Sequence, residues 1–164
     1  MMRDDVVMGR ADQRELADER QSQPKEQTMQ VDPYLHYDGN CEAAFKFYEK
    51  ELGAKIEMMM RYADAPPDMP TTPESKNKIM HGRISIDGAV VMGSDSPPAH
   101  FHKPAGFALT LTVNDPAEAE RRFNALCKGG AINMPWAKTF FAKGFGMGVD
   151  QFGIPWMVIA PMEH

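Results

Sequence analysis

The sequence predicts an α+β fold assembled from two βαβββ modules, and three observations carry that prediction. The chain repeats itself, each copy runs strand, helix, then three strands, and the apolar side chains change period between those elements. A strand-like run at Tyr34 feeds a helical segment ending at Leu52-Gly53, and a second at Thr110 feeds one ending at Cys127-Lys128-Gly129. A shift of roughly 76 places superposes Phe47 on Phe123, Gly53 on Gly129 and Ile56 on Ile132, a period that holds one supersecondary unit. A duplicated unit packs as one pseudo-symmetric body with a cleft between its halves, and clefts are where small molecules bind.

The elements follow in chain order. Residues 1–30 contain no aromatic side chain and mix acids, bases and amides. They bury too little apolar area to offset ordering and read as a mobile tail with at most a weak helix over 12–20. Met29 is a candidate start. The domain is expected over 31–164, with module one at about 31–95, a linker at 96–105 and module two at about 106–161. Module one reads as a strand over 31–37, a helix over 40–52 and strands over 54–61, 78–87 and 89–94. Ala44, Phe47, Tyr48 and Leu52 form the helix's apolar stripe, with Asn40 as the expected cap and Gly53 as the left-handed stop. Asp87-Gly88 reads as a tight hairpin turn. Module two reads as a strand over 106–113, a helix over 116–128 and strands over 130–138, 144–150 and 154–160. Asp115-Pro116-Ala117-Glu118 joins a cap, a first-turn proline and an acid three past the cap. Ala119, Phe123, Leu126 and Cys127 supply the buried stripe. The loop over 61–78 carries Pro66, Pro67, Pro70 and Pro73 and reads either as a lid or dimer contact or as a plain connector.

Composition narrows the partners. A formal charge of −5 supplies no basic footprint for nucleic acid. No apolar run approaches the ~20 residues that cross a bilayer, and the charged N-terminus lacks an export signal's apolar core. Two cysteines, Cys41 and Cys127, form no zinc spacing and no disulfide framework. A cytoplasmic location is the expectation.

Several motifs together resemble a known superfamily. Pro33-Tyr34-Leu35 precedes Asp38-Gly-Asn-Cys-Glu-Ala-Ala-Phe45, Phe47-Tyr48 and Gly53-Ala54 follow, and then Met80-His81-Gly82 and Met92-Gly93-Ser94-Asp95. Asp150-Gln-Phe-Gly-Ile-Pro-Trp156 closes the set. Over residues 31 to 161 the chain resembles the vicinal oxygen chelate superfamily of glyoxalase I, extradiol dioxygenases, fosfomycin-resistance and bleomycin-binding proteins. It is most similar to the PhnB-like branch, often labelled 3-demethylubiquinone methyltransferase-like. The resemblance implies a cupped mixed sheet with helices on its convex face, and a homodimer.

In the metal-using members, four residues from four strands hold a divalent cation. The corresponding positions here are Pro33, Met92, Phe107 and Met157. Proline and phenylalanine offer no ligand atom, and a thioether suits copper(I) rather than the harder cations of the superfamily. The expectation is therefore a dry pocket floor with no metal and no cofactor. The leading reading is a metal-independent small-molecule binding protein whose ligand is unknown. The alternatives are a glyoxalase- or dioxygenase-type metal enzyme, a methyltransferase-like activity as the branch label suggests, and a module that only dimerises.

The expected ligand-binding residues are His81, Arg83 and Ser85, which share a strand face, with Met92, Phe107 and Met157 as floor and Trp136 and Phe141 as aromatic walls, the aromatic cluster reading alternatively as a dimer contact or as plain core. His81 is either a hydrogen-bonding acid/base or a solvated side chain. No catalytic residue is assigned. His36 is expected against the helix or at the edge, His100 and His102 in a solvated linker, and Asp95 either accepting from a ligand or capping a turn. A Ser94–His81–Asp95 nucleophilic set is conceivable but lacks a nucleophile elbow. Gly144, Gly146 and Gly148 read as close backbone approach rather than a phosphate loop.

Overall fold

The computed structural model describes residues 29–163. The helix expected over 12–20 and nearly all of the expected tail lie outside the described residues. The first module comprises β1 (Tyr34–Tyr37), α1 (Cys41–Leu52), β2 (Lys55–Arg61), β3 (Ile79–Ile86) and β4 (Ala89–Asp95). The second comprises β5 (Leu109–Thr112), α2 (Pro116–Cys127), β6 (Ala131–Ala137), β7 (Ala142–Val149) and β8 (Pro155–Pro161). The fold is α+β with two βαβββ modules, and the sheet is delivered as two four-stranded halves ordered β1-β4-β3-β2 and β5-β8-β7-β6. In each half the first strand pairs parallel with the last and the remaining pairs are antiparallel. Identical strand order in both halves is the duplication made physical.

The modules share one core. From α1 it takes Cys41, Ala44, Phe45, Tyr48 and Leu52; from α2 it takes Ala119, Phe123, Leu126 and Cys127, the whole expected stripe. Phe47, expected in the first stripe, is only partly buried, and Phe45 goes inside in its stead. The two helices touch. The Tyr48 and Trp156 rings lie 5.5 Å apart and Phe47 and Phe152 5.6 Å apart, so each module's helix-covered side faces the same interior. Among the described residues no helix packs on the other face of each sheet, which is called its outward face.

Local chemistry explains the element ends. Asp115 caps α2 by accepting from the Glu118 amide at 3.1 Å. Gly53 ends α1 at φ 65°, and Asp87 (φ 47°) with Gly88 (φ 85°) makes the expected hairpin turn. Asn40 does not cap α1. Its Oδ1 is the buried side-chain polar atom left without a partner among the described residues. The cap comes from across the sheet: Asp95 Oδ1 accepts from the Cys41 amide at 2.9 Å and Oδ2 from the Ile79 amide at 2.8 Å. Asp95 is thus a buried staple joining β4, α1 and β3. β5 starts later than expected because Gly106, at φ 79°, breaks the extended run before it.

The alternating glycines of β7 admit side chains from the helix side. A Cβ on Gly146 would stand 2.8 Å from the Phe123 ring. Gly146→Ala should therefore destabilise the domain by about 1–3 kcal/mol through overpacking, read as a lower midpoint in urea with an unchanged slope. An unchanged midpoint would mean that the ring moves freely.

Candidate functional site

The outward face of the first sheet gathers the polar side chains. Strand register puts Tyr34 beside Met92 and His36 beside Ser94 on the β1–β4 pair, and Arg83 beside Met92 on β3–β4. On β2–β3, Met60 stands beside His81 and Met58 beside Arg83. Side chains directly opposite one another on paired strands point to the same face. Two rows therefore cross the sheet: Met60, His81, Ser94, His36 and Met58, Arg83, Met92, Tyr34.

These groups touch. The Tyr34 hydroxyl lies 3.1 Å from His81 Nδ1, and the rings stack at 5.6 Å. The Tyr34 and His36 rings are 5.2 Å apart, and Ser96 Oγ lies 3.4 Å from His36 Nδ1. Ser94 is only 8% exposed on a face without a helix, which leaves the flanking rings as its cover. Arg83 Nε donates to Glu57 Oε2 at 2.7 Å, and that bond, with help from Ser85, holds the Glu57 carboxyl below the usual range. His81, Arg83, Ser85 and Met92 thus stand on one face, with Tyr34, His36 and Glu57 beside them. His36, expected against the helix or at the edge, stands on the open face of β1, the edge strand of its sheet, because Leu35 and Tyr37 take the buried side.

Asp95 stands on the helix side with both oxygens engaged, so no Ser94–His81–Asp95 set forms. His100 ends a short turn over Pro98–His100 and is exposed, as is His102.

The outward face of the second sheet is chemically different. Thr110, Met157, Met147 and Met134 form one row across β5, β8, β7 and β6. Phe145 stands beside Ile159, and Phe141 packs edge-on against it at 5.2 Å. Phe107 precedes β5 and is exposed. Trp136 stands on the helix side, 5.9 Å from Phe123. The signal that would have found Tyr34 and the methionine row is strand register, which a single sequence does not display.

A buried polar cluster lies behind these faces. Asp150 Oδ2 accepts from the Tyr48 hydroxyl at 2.5 Å and Trp156 Nε1 at 2.9 Å, and Oδ1 from the Phe152 and Ile154 amides. Burial pushes the Tyr48 and Tyr37 phenols well above their ordinary value. Burial also raises the Cys41 and Cys127 thiols, which suits packing groups rather than nucleophiles.

The paired βαβββ architecture with open outward sheet faces is that of the vicinal oxygen chelate superfamily. A glyoxylase/bleomycin resistance protein/dioxygenase domain from Frankia shares it at 13% identity, a TM-score of 0.58 and coverage of 82% of this chain and 98% of that one. Residues 29–159 match the model of the family described as 3-demethylubiquinone-9 3-methyltransferase, and the chain belongs to that family. Protein YjdN of Escherichia coli is 33% identical over 79% of this chain and 94% of its own. The crystal structure of PA1353 from Pseudomonas aeruginosa matches at 41% identity and TM-score 0.71, covering 79% and 96%. A putative 3-demethylubiquinone-9 3-methyltransferase, the PhnB protein from Bacillus cereus, matches at 25% identity and TM-score 0.67, covering 79% and 97%. The chain is a PhnB-like member of the superfamily, and no specific reaction attaches to it.

The positions that hold a cation in metal-using members do not fit one here. In register, Tyr34 flanks Met92 and Thr110 flanks Met157, while Pro33 and Phe107 precede their strands. Neither set offers the imidazole and carboxylate donors that zinc, manganese or iron(II) prefer. Among the described residues no three His, Cys, Asp or Glu side chains converge.

Proposed function

We propose that this chain binds a small organic molecule on the outward face of its first sheet, without a metal ion at the superfamily's four strand positions. A second copy of the chain covers that face. The observation that carries the reading is the Tyr34–His81 hydrogen bond, set among His36, Ser94 and Met92 on a face that no helix among the described residues covers. A sheet face needs no such cluster for stability. A ligand does, because a few convergent polar groups on an apolar floor fix its orientation.

Exposed apolar side chains support the second copy. Met134, Phe140 and Phe141 of the second module are exposed, as are Tyr34 and Met58 of the first. One module face is polar and the other apolar, so a ligand held between two such faces has a hydrogen-bonding end and an apolar body. No helix among the described residues is long and apolar enough to cross a membrane. Two buried thiols without a disulfide suit the reducing cytoplasm.

A thermal-shift screen of polar-headed aromatic metabolites tests the reading. A ligand present at 100 times its dissociation constant adds about 2.7 kcal/mol, roughly 5–10 °C at this chain length. Tyr34→Phe and His81→Ala should each weaken that ligand about tenfold while leaving the unliganded melting temperature within a degree or two. Micromolar binding of manganese, nickel or zinc in calorimetry would overturn the metal-independent part. Hits that ignore both substitutions would overturn the site.

A further inference from the structure

A cavity lies away from the outward faces. It is a crevice of about 800 Å3 walled by both modules, a volume within the range of small-molecule pockets. Every residue from Leu109 to Asn114 borders it. Successive side chains of a strand point to opposite faces, so a run of consecutive residues borders one cavity only where the cavity follows the strand's edge. β5 is such an edge, with β8 on its other side.

The backbone there has a definite sense. The Val113 amide donates to the Ile159 carbonyl at 2.9 Å. Peptide groups alternate sides along a strand, so Leu109 and Leu111 also turn theirs to β8, whereas Thr110 and Thr112 turn theirs outward. No strand among the described residues pairs with that outer edge. Leu52, Ile86 and Val91 of the first module and Trp156 of neighbouring β8 give it an apolar lining, and Arg122, whose guanidinium pairs with Glu118 at 2.8 Å, borders it too.

The crevice exists because the duplication is imperfect. Trp156 precedes Met157 as Val91 precedes Met92, so valine stands where the second module has tryptophan. The turn between β7 and β8 brings Phe152 against Phe47, while the corresponding β3–β4 turn is Asp87-Gly88 and carries no ring. Aromatic side chains fill one side of the module junction and leave the other open.

We infer that this crevice is a binding site for a small apolar molecule bearing a carboxamide. Its chain lies on Ile86, Val90 and Leu111, backed by the buried Leu52, Val91 and Trp156, and its amide pairs with the outward peptide groups of Thr110 and Thr112. Trp136 and Trp156 are the two tryptophans, so Trp136→Phe leaves a reporter in the crevice wall. Octanamide titrated into that chain should change Trp156 emission saturably. Val91→Phe, which fills the gap, should weaken octanamide at least tenfold. Thr112→Pro removes one outward N–H and leaves the bonds to β8 intact. It should weaken octanamide about fivefold and leave octan-1-ol unaffected. Tyr34→Phe should bind octanamide normally, which separates this site from the outward face. Circular dichroism checks each variant's fold. An unsaturable response, binding that survives Val91→Phe, or equal losses of amide and alcohol in Thr112→Pro would each overturn the inference.

Discussion

Asp150→Ala should be the most damaging single substitution in the domain, lowering stability by about 3–5 kcal/mol and the melting temperature by roughly 10 °C or more. The buried carboxylate accepts from four donors on three parts of the structure: the Tyr48 hydroxyl on α1, the Trp156 indole on β8, and the Phe152 and Ile154 amides of its own turn. Alanine would leave all four donors in a dry interior, and each unsatisfied buried group costs about 1–3 kcal/mol before relaxation. The loss crosses the module boundary, because Tyr48 belongs to one half and the other donors to the second. Asp150→Asn should cost less, since its remaining oxygen still accepts while its amide faces other donors. Chemical denaturation of the wild type and both variants measures the order. Equal stability of wild type and alanine variant would mean that the halves hold together by apolar packing alone.

What the sequence disclosed about the fold was what its local chemistry enforces. α2 announced itself with Asp115, Pro116 and a four-residue stripe, and all of these occupy the expected places. The Asp87-Gly88 turn and the Gly53 stop were legible because only certain residues tolerate a positive φ. α1 misled at its start. Asn40 has the right side chain for a cap, yet the role went to Asp95, which is remote in the chain and adjacent only once β4 lies beside β1. A capping rule confined to neighbouring residues cannot see a donor satisfied across a sheet.

The candidate site was legible by face but not by neighbour. Alternation along β3 grouped His81, Arg83 and Ser85 correctly, since a strand's period needs no partner. Placing Tyr34 and His36 beside them required the parallel register of β1 on β4. Trp136 shows the same limit: it shares an aromatic stretch with Phe141 but lies beneath the sheet against Phe123. Proximity in sequence ranked it with the walls, and the register shift between Met134 and Ala137 turned it to the helix side, out of the face that Met134 shares.

Met147→Lys should split the proposed dimer while sparing the fold. Met147 sits mid-row between Met157 and Met134 on the helix-free face and is partly exposed in a single chain, so a lysine there can reach water. Under a second copy the same ammonium would be buried against methionine and phenylalanine without a counter-charge. A stranded charge of that kind costs several kcal/mol, enough to raise the dissociation constant by a hundredfold or more. Sedimentation velocity across micromolar concentrations should show the wild type as a dimer and the variant as a monomer with the same far-ultraviolet dichroism. A wild type that stays monomeric at 100-fold higher concentration would remove the covering copy from the proposal, and a dimeric variant would move the interface to another surface. Loss of the Tyr34- and His81-dependent ligand together with the dimer would tie the polar face of one chain to the apolar face of its partner.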